Sequence, residues 1–241
     1  MKRISIIGLA LMAVMAMGAV AASSASAFCE LSLGYCELGK PLGAGQTLEI
    51  RAAAAKEFVL EGELLGFKSV INCTALKLNA AEKPIIKGGM PGTGEKQRVE
   101  FSGCTSTLGG SACTTTIVHN ATTLTEQVMI LKPEALKGRL ATLFRPATGG
   151  VFSKILQSGC SGLIKEANGE VTGTTAALDE PTLVEALAGL LLYRKGANEI
   201  TEVEKFGGAK EPVGLKFGGN AATLEGTAEV SLVNDDLWGV F

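Results

Sequence analysis

The chain has 241 residues, with 22 Lys and Arg against 24 Asp and Glu, a single His, and 46% hydrophobic residues of which few are aromatic. Near-balanced charge without a clustered basic segment argues against nucleic-acid and anionic-membrane partners, which are held by positive surfaces. A chain of this length can bury one core, or two small ones side by side.

The first residues, Met1-Lys2-Arg3, lead into an apolar run through Ile4, Ile7, Leu11, Val14 and Val20 that ends on Ser24-Ala25-Ser26-Ala27. A basic start, an apolar stretch and a small-x-small end are the parts of a cleavable export signal, so residues 1–27 are read as a signal peptide cut after Ala27. Two alternatives stay open. The apolar run approaches the roughly 18 to 20 residues of a spanning anchor, and Cys29 raises the thought of a lipoprotein, against which Phe28 stands where a small residue is expected. Cleavage would remove Lys2 and Arg3 and leave a mildly acidic mature chain with a secreted or cell-envelope destination and no membrane attachment. The later apolar stretch Leu183 to Leu192 is too short to span a bilayer and carries Glu185.

Residues 28–56 are the least periodic and are expected at the periphery; no linker divides 57–241, read as one β-rich domain. Short stretches alternate apolar and polar side chains: Leu48, Ile50 and Ala52; Phe58 and Leu60; Val99 and Phe101; Ala228, Val230 and Leu232. Successive strand residues point to opposite faces, so each stretch offers one apolar and one wet face. Further strands are expected over 68–73, 114–119, 125–131, 139–144, 151–156, 170–176 and 213–217. Turns fall at Gly88-Gly89, Gly109-Gly110, Gly149-Gly150, Gly207-Gly208 and Gly218-Gly219, where positive φ is available. Many short strands so spaced predict a mainly β fold, an antiparallel β-sandwich or barrel. At most one short helix interrupts it: Asp179-Glu180-Pro181 followed by Leu183, Val184, Leu187, Leu190 and Leu191 reads as a capped helix, with a buried strand from Gly189 to Arg194 as its rival.

All six cysteines, Cys29, Cys36, Cys73, Cys104, Cys113 and Cys160, follow the predicted cut. An even number in an oxidising compartment reads as three disulfides, with 15 possible pairings. Short separations favour Cys29 with Cys36 and Cys104 with Cys113, leaving Cys73 for Cys160.

No catalytic, metal or cofactor site is assigned. A hydrolytic triad needs an imidazole, and His119 is the only one, without a Gly-x-Ser-x-Gly elbow. Metal sites need clusters of His, Cys or carboxylate, and Asp235-Asp236 reads as a solvated turn. The Gly88 to Gly94 loop lacks the Lys-Ser/Thr of a phosphate loop. Glutamates are plentiful on the polar side of strands, and no pair stands out as the flanking carboxylates of a glycosidase. Aromatic platforms for sugars would have to come from Trp238, Tyr35 and Tyr193.

One set of motifs carries a resemblance. Cys-Thr-Ala-Leu-Lys-Leu (73–78), Gly-Gly-Met-Pro-Gly (88–92), Val-Glu-Phe-Ser-Gly-Cys-Thr (99–105), Leu-Phe-Arg-Pro-Ala-Thr-Gly (143–149), Gly-Cys (159–160) and Leu-Lys-Phe-Gly-Gly-Asn-Ala-Ala-Thr-Leu-Glu-Gly-Thr-Ala-Glu-Val (215–230) follow an export signal in that order. The chain thereby resembles a family of uncharacterised secreted bacterial β-rich proteins with a signal peptide and six cysteines, often present as many paralogues per genome. The resemblance implies a secreted β-rich domain and brings no activity, ligand or catalytic residue. The expected role is a non-enzymatic interaction or surface module with an extracellular or cell-wall partner. Its alternatives are an extracellular carbohydrate or small-ligand binding module, and a secreted carboxylate-dependent hydrolase.

Overall fold

A computed structural model of the chain describes residues 34–38, 40–175 and 188–240. The signal peptide, Cys29 and the 179–187 part of the helical reading lie outside the described residues. In chain order the strands are β1 (Tyr35–Glu37), β2 (Lys40–Pro41), β3 (Thr47–Leu64), β4 (Phe67–Leu78), β5 (Ile85–Lys87), β6 (Thr93–Leu108), β7 (Ser111–Asn120), β8 (Thr122–Lys132) and β9 (Leu140–Pro146). They continue as β10 (Val151–Ser158), β11 (Ile164–Gly169), β12 (Val171–Thr175), β13 (Ala188–Tyr193), β14 (Glu202–Glu204), β15 (Lys210–Pro212), β16 (Leu215–Phe217), β17 (Asn220–Leu232) and β18 (Trp238–Val240).

Every pairing is antiparallel, and the pairings return on themselves twice. One ring, the first barrel, runs β3, β5, β6, β8, β9, β12, β13, β17 and back to β3. The second runs β3, β4, β6, β7, β10, β11, β16, β17 and back to β3. The molecule is therefore two eight-stranded barrels fused along the long strands β3, β6 and β17, which belong to both. Closure leaves no open sheet edge in either ring.

On β3 the inward positions are even-numbered in both halves of the strand, with Lys56 exposed between them. Ile50 is buried in the first half and Phe58, Leu60 and Leu64 in the second, with Leu48, Ala52 and Ala54 packed against the same core. Two apolar clusters follow, one per barrel. Ile50, Phe58, Leu76, Ile86, Phe144, Leu191, Val230 and Leu232 fill the first; Leu60, Leu64, Ile71, Ile155, Leu215 and Phe217 fill the second. At the waist the β3–β17 register shifts around Thr227, an irregularity that bends the strands as they change partners.

A small sheet of β18, β1 and β2 packs on the first cluster. Its Trp238 inserts against Tyr35, with ring centroids 6.3 Å apart, and donates its indole N–H to the Val230 carbonyl at 3.2 Å. The β14–β15 hairpin extends from β8 and covers the outer side of β8 and β9, burying Val128, Ile130, Leu143, Ile200, Val203 and Val213. Elsewhere the outer faces carry ion pairs such as Lys77 with Glu100 and Lys154 with Glu166. Apolar inside and charged outside is the reverse of a barrel embedded in lipid. Among the described residues no helix is long and apolar enough to cross a membrane.

The mainly β, disulfide-stapled fold agrees with the reading of the sequence, and the alternatives resolve to a barrel. Three expectations need correction. Residues 188–193 form β13, the strand reading, because Thr174 and Thr175 on β12 and six consecutive residues of β17 pair with it; a helix there would open the ring. Residues 34–56, expected at the periphery, bury Tyr35, Leu42 and Ile50 and supply the first half of β3. The disulfides join Cys73 to Cys104 and Cys113 to Cys160, with Cα atoms 4.0 and 5.6 Å apart. Cys104 and Cys113 lie on adjacent strands but out of step: Cys113 faces Ser106, whereas Cys104 stands directly opposite Cys73 across β4 and β6. Cys36 is also disulfide-bonded; its expected partner Cys29 lies outside the described residues.

Unreduced peptide mapping is expected to link Cys73 with Cys104 and Cys113 with Cys160. Replacing Cys113 and Cys160 together by Ser reopens a 47-residue separation; the chain-entropy relation gives a loss of roughly 4 kcal/mol, read from the urea midpoint.

Candidate functional site

Where the two barrels meet, the two clusters leave a hollow of about 90 Å³. Its walls are almost wholly apolar, from Phe58, Leu60, Leu76, Phe101, Phe144, Phe152, Ile155 and Leu224 among others. A second hollow of about 50 Å³ lies in the first barrel beneath Tyr35 and Trp238. Leu76, Val99, Phe144 and Tyr193 line both.

Four rings cluster at the wall of the larger hollow. Phe58 packs edge-on against Phe101 and Tyr193, each with centroids 5.5 Å apart, and Tyr193 lies 5.7 Å from Phe144. The cluster depends on Gly226 of β17, opposite Tyr193 in register. A Cβ there would stand 2.6 Å from the Phe58 ring, and Phe58 is buried and cannot retreat.

The polar groups around the hollows are, with one exception, committed. Gln127 donates to the Tyr35 hydroxyl at 2.8 Å and to Thr142 Oγ1 at 2.9 Å. Gln97 donates to Thr125 Oγ1 at 3.2 Å, and Thr123 donates to the Gln97 carbonyl at 2.6 Å. Ser153 donates to Asn120 Oδ1 at 2.7 Å. Burial pushes the Tyr35 phenol up, partly offset by its hydrogen bonds to Gln127 and Thr125. Tyr193 is the exception: desolvation alone drives its phenol far above the ordinary tyrosine value, with no hydrogen bond to counter it.

The sequence-level candidates are scattered. Trp238 and Tyr35 are buried and Tyr193 lines the interior, so none of them presents a platform on which a sugar could stack. His119 is exposed on the outer face of β7, beside Lys154 in register. Asp235 pairs with Arg51, and Asp236 accepts from Asn234 at 2.8 Å, which makes this turn a surface clasp. The Gly88 loop wraps the segment around Leu42.

Glutamates do converge at one place. Arg145 on β9 meets Glu126 at 3.4 Å, Glu170 at 3.6 Å and Glu211 at 3.7 Å, and Lys205 pairs with Glu211. Burial, then the Glu211 charge, push the Glu170 carboxyl above its ordinary value against the opposing pull of Arg145 and Lys205. The guanidinium occupies the space between the carboxylates that a glycosidic bond would need, and neither hollow touches the group. The arrangement is a charge-compensated surface network.

A feature that the sequence reading missed gathers at the far end of the second barrel. The β3–β4 turn (Leu65-Gly66), the β6–β7 turn (Gly109-Gly110) and the β16–β17 turn (Gly218-Gly219) all have positive φ at both central residues, the conformation that favours tight hairpins. They sit together: Gly109 N–H donates to the Lys68 carbonyl at 2.9 Å, and Gly218 N–H to the Glu166 carbonyl at 3.0 Å. Asn220 Nδ2 reaches the Glu63 carbonyl at 3.0 Å. The Cys113–Cys160 bridge ties the β10–β11 connection to the same end. From these tips Leu65, Phe67, Leu163 and Ile164 project, each more than half exposed. The sequence signal was present, since large apolar residues at turn positions break the polar-loop rule.

The chain matches no protein-family model, no curated protein and no solved structure.

Two substitutions test this geometry. Gly226→Ala is expected to destabilise by about 1–3 kcal/mol, the usual consequence of overpacking, and to be read by thermal unfolding. For Glu170, a carboxyl whose folded pKa is raised contributes stability that is present at acid pH and lost as pH rises through the folded value. Glu170→Gln should therefore gain stability relative to wild type at pH 8, and the gain should vanish at pH 4, as read from paired urea melts.

Proposed function

We propose that the protein is a non-enzymatic interaction module of the secreted or cell-envelope compartment, and that the hairpin-tip end of the second barrel is its working surface. The observation that carries the reading is the set Leu65, Phe67, Leu163 and Ile164, each more than half exposed at the same end of the barrel. Large apolar side chains exposed together at one end of a fold mark contact sites. The tips are held by tight turns and a disulfide, so little ordering entropy opposes association. The partner is an apolar patch on another extracytoplasmic or wall-associated protein, and export follows from the reading of residues 1–27, the formed disulfides and the resemblance to secreted proteins.

Support for a non-enzymatic role comes from what the candidate groups are doing. His119 is a lone surface residue, the carboxylates around Arg145 are ion-paired, and the polar groups inside are hydrogen-bonded, apart from Tyr193.

The test is retention of purified protein on envelope fractions and on proteins of the culture supernatant. Wild type is expected to bind saturably, a variant with Leu65, Phe67, Leu163 and Ile164 all changed to Ser is expected to lose binding, and a control with Val233 and Leu237 changed to Ser at the opposite end is expected to keep it. Equal binding by wild type and the four-site variant, or binding only to protein-free lipid vesicles, would overturn the proposal.

A further inference from the structure

We infer that the paired hollows at the barrel waist form a binding site for one slim apolar molecule carrying a single oxygen, which hydrogen-bonds to the Tyr193 hydroxyl. This site lies inside the fused barrels and is independent of the tip end.

The argument starts from volume. A dry cavity of about 150 Å³ lined by Leu, Ile and Phe takes up benzene. The hollows here, about 90 and about 50 Å³, together approach that size. What separates them is a layer of side chains, Leu76, Val99, Phe144 and Tyr193, and not a backbone wall. Rotation of one of these rings would join them into a single chamber close to the size that takes up benzene.

The chemistry of the walls selects the occupant. Water is a poor fit in the larger hollow, since a buried water needs two to four polar partners. Of the three hydroxyl side chains lining that hollow, Thr123 donates to a carbonyl and Ser153 to Asn120. Tyr193 makes ring contacts with Phe58 and Phe144 and, among the described residues, no hydrogen bond. Tyr193 is half-buried and lines both hollows, and one oxygen on an otherwise apolar guest would give its hydroxyl the partner that the apolar walls do not. Charged or multiply polar guests find nothing else to bond. The class is therefore a small ketone or alcohol with a cyclic or short aliphatic body.

Trp238 lines the smaller hollow and is the only tryptophan in the chain, so its fluorescence reports on this site. The test titrates folded wild-type protein with cyclohexanone and, in parallel, cyclohexane, reading Trp238 emission and the thermal midpoint. Cyclohexanone is expected to bind saturably and raise the midpoint. Tyr193→Phe keeps the ring and should weaken cyclohexanone about three- to tenfold, the range of one hydrogen bond, while leaving cyclohexane unchanged. Ala121→Leu, which fills the larger hollow, should abolish binding of both. Absence of saturable binding to wild type would overturn the site. Unchanged cyclohexanone affinity in Tyr193→Phe would overturn the role of the hydroxyl, and unchanged affinity in Ala121→Leu would overturn the location.

Discussion

The constraint on which the structure depends is that β3, β6 and β17 must serve two barrels at once. Each long strand hydrogen-bonds to one set of neighbours at one end and another set at the other: β3 to β5 through Thr47–Glu49 and to β4 through Phe58–Leu64. Each must supply inward side chains to both barrels, and a slip by one residue would turn a core face outward. On β3 the inward positions are even-numbered on both sides of an exposed Lys56, where the β3–β17 register shifts at Thr227, whereas β6 changes from Val99 and Phe101 to Cys104 and Leu108 across Gly103, whose φ is positive. Shared strands thus remove four potential edges and make the two cores one cooperative unit, since neither ring closes without them.

The disulfides reinforce this plan at chosen points. Cys73–Cys104 crosses β4 and β6 inside the second barrel, with Cys73 in its core. Cys113–Cys160 holds the start of β7 to the connection after β10, beside the hairpin tips. The second bridge lies where the paired strands end and the backbone ladder can no longer hold the loops. Its position explains how apolar tips can remain presented to solvent without collapsing onto the barrel.

Much of this was legible in the residues, and the failures have identifiable causes. Most strands announced themselves by alternation, and the double-glycine turns marked their ends. The run Ala53-Ala54-Ala55-Lys56-Glu57 hid the continuity of β3, because alanine gives a weak apolar signal and two charges interrupt it; the shared parity of Ile50 and Phe58 was the clue. The leucines of β13 fit a helical period as well as a strand, and only the need of β12 and β17 for a partner decides between them. The disulfide pairing failed because separation along the chain says nothing about register. The waist hollow could not be read at all, since its walls come from many strands that meet only in the closed fold.

The hollow is also where packing and polarity depart from what stability alone would produce. A cavity of about 90 Å³ costs about 2 kcal/mol at the usual penalty per unit volume. Beside it the half-buried Tyr193 keeps a hydroxyl where phenylalanine would make the same contacts with Phe58 and Phe144. The neighbouring polar residues show that the fold can satisfy such groups: Tyr35, the other tyrosine, sits in the same core and has its hydroxyl bonded by Gln127. Two tyrosines in one core, one satisfied and one not, separate a structural role from an available one. Tyr193 lines both hollows among apolar walls, and the tip end lies on the other barrel's far side, so interior and surface are free to serve different partners.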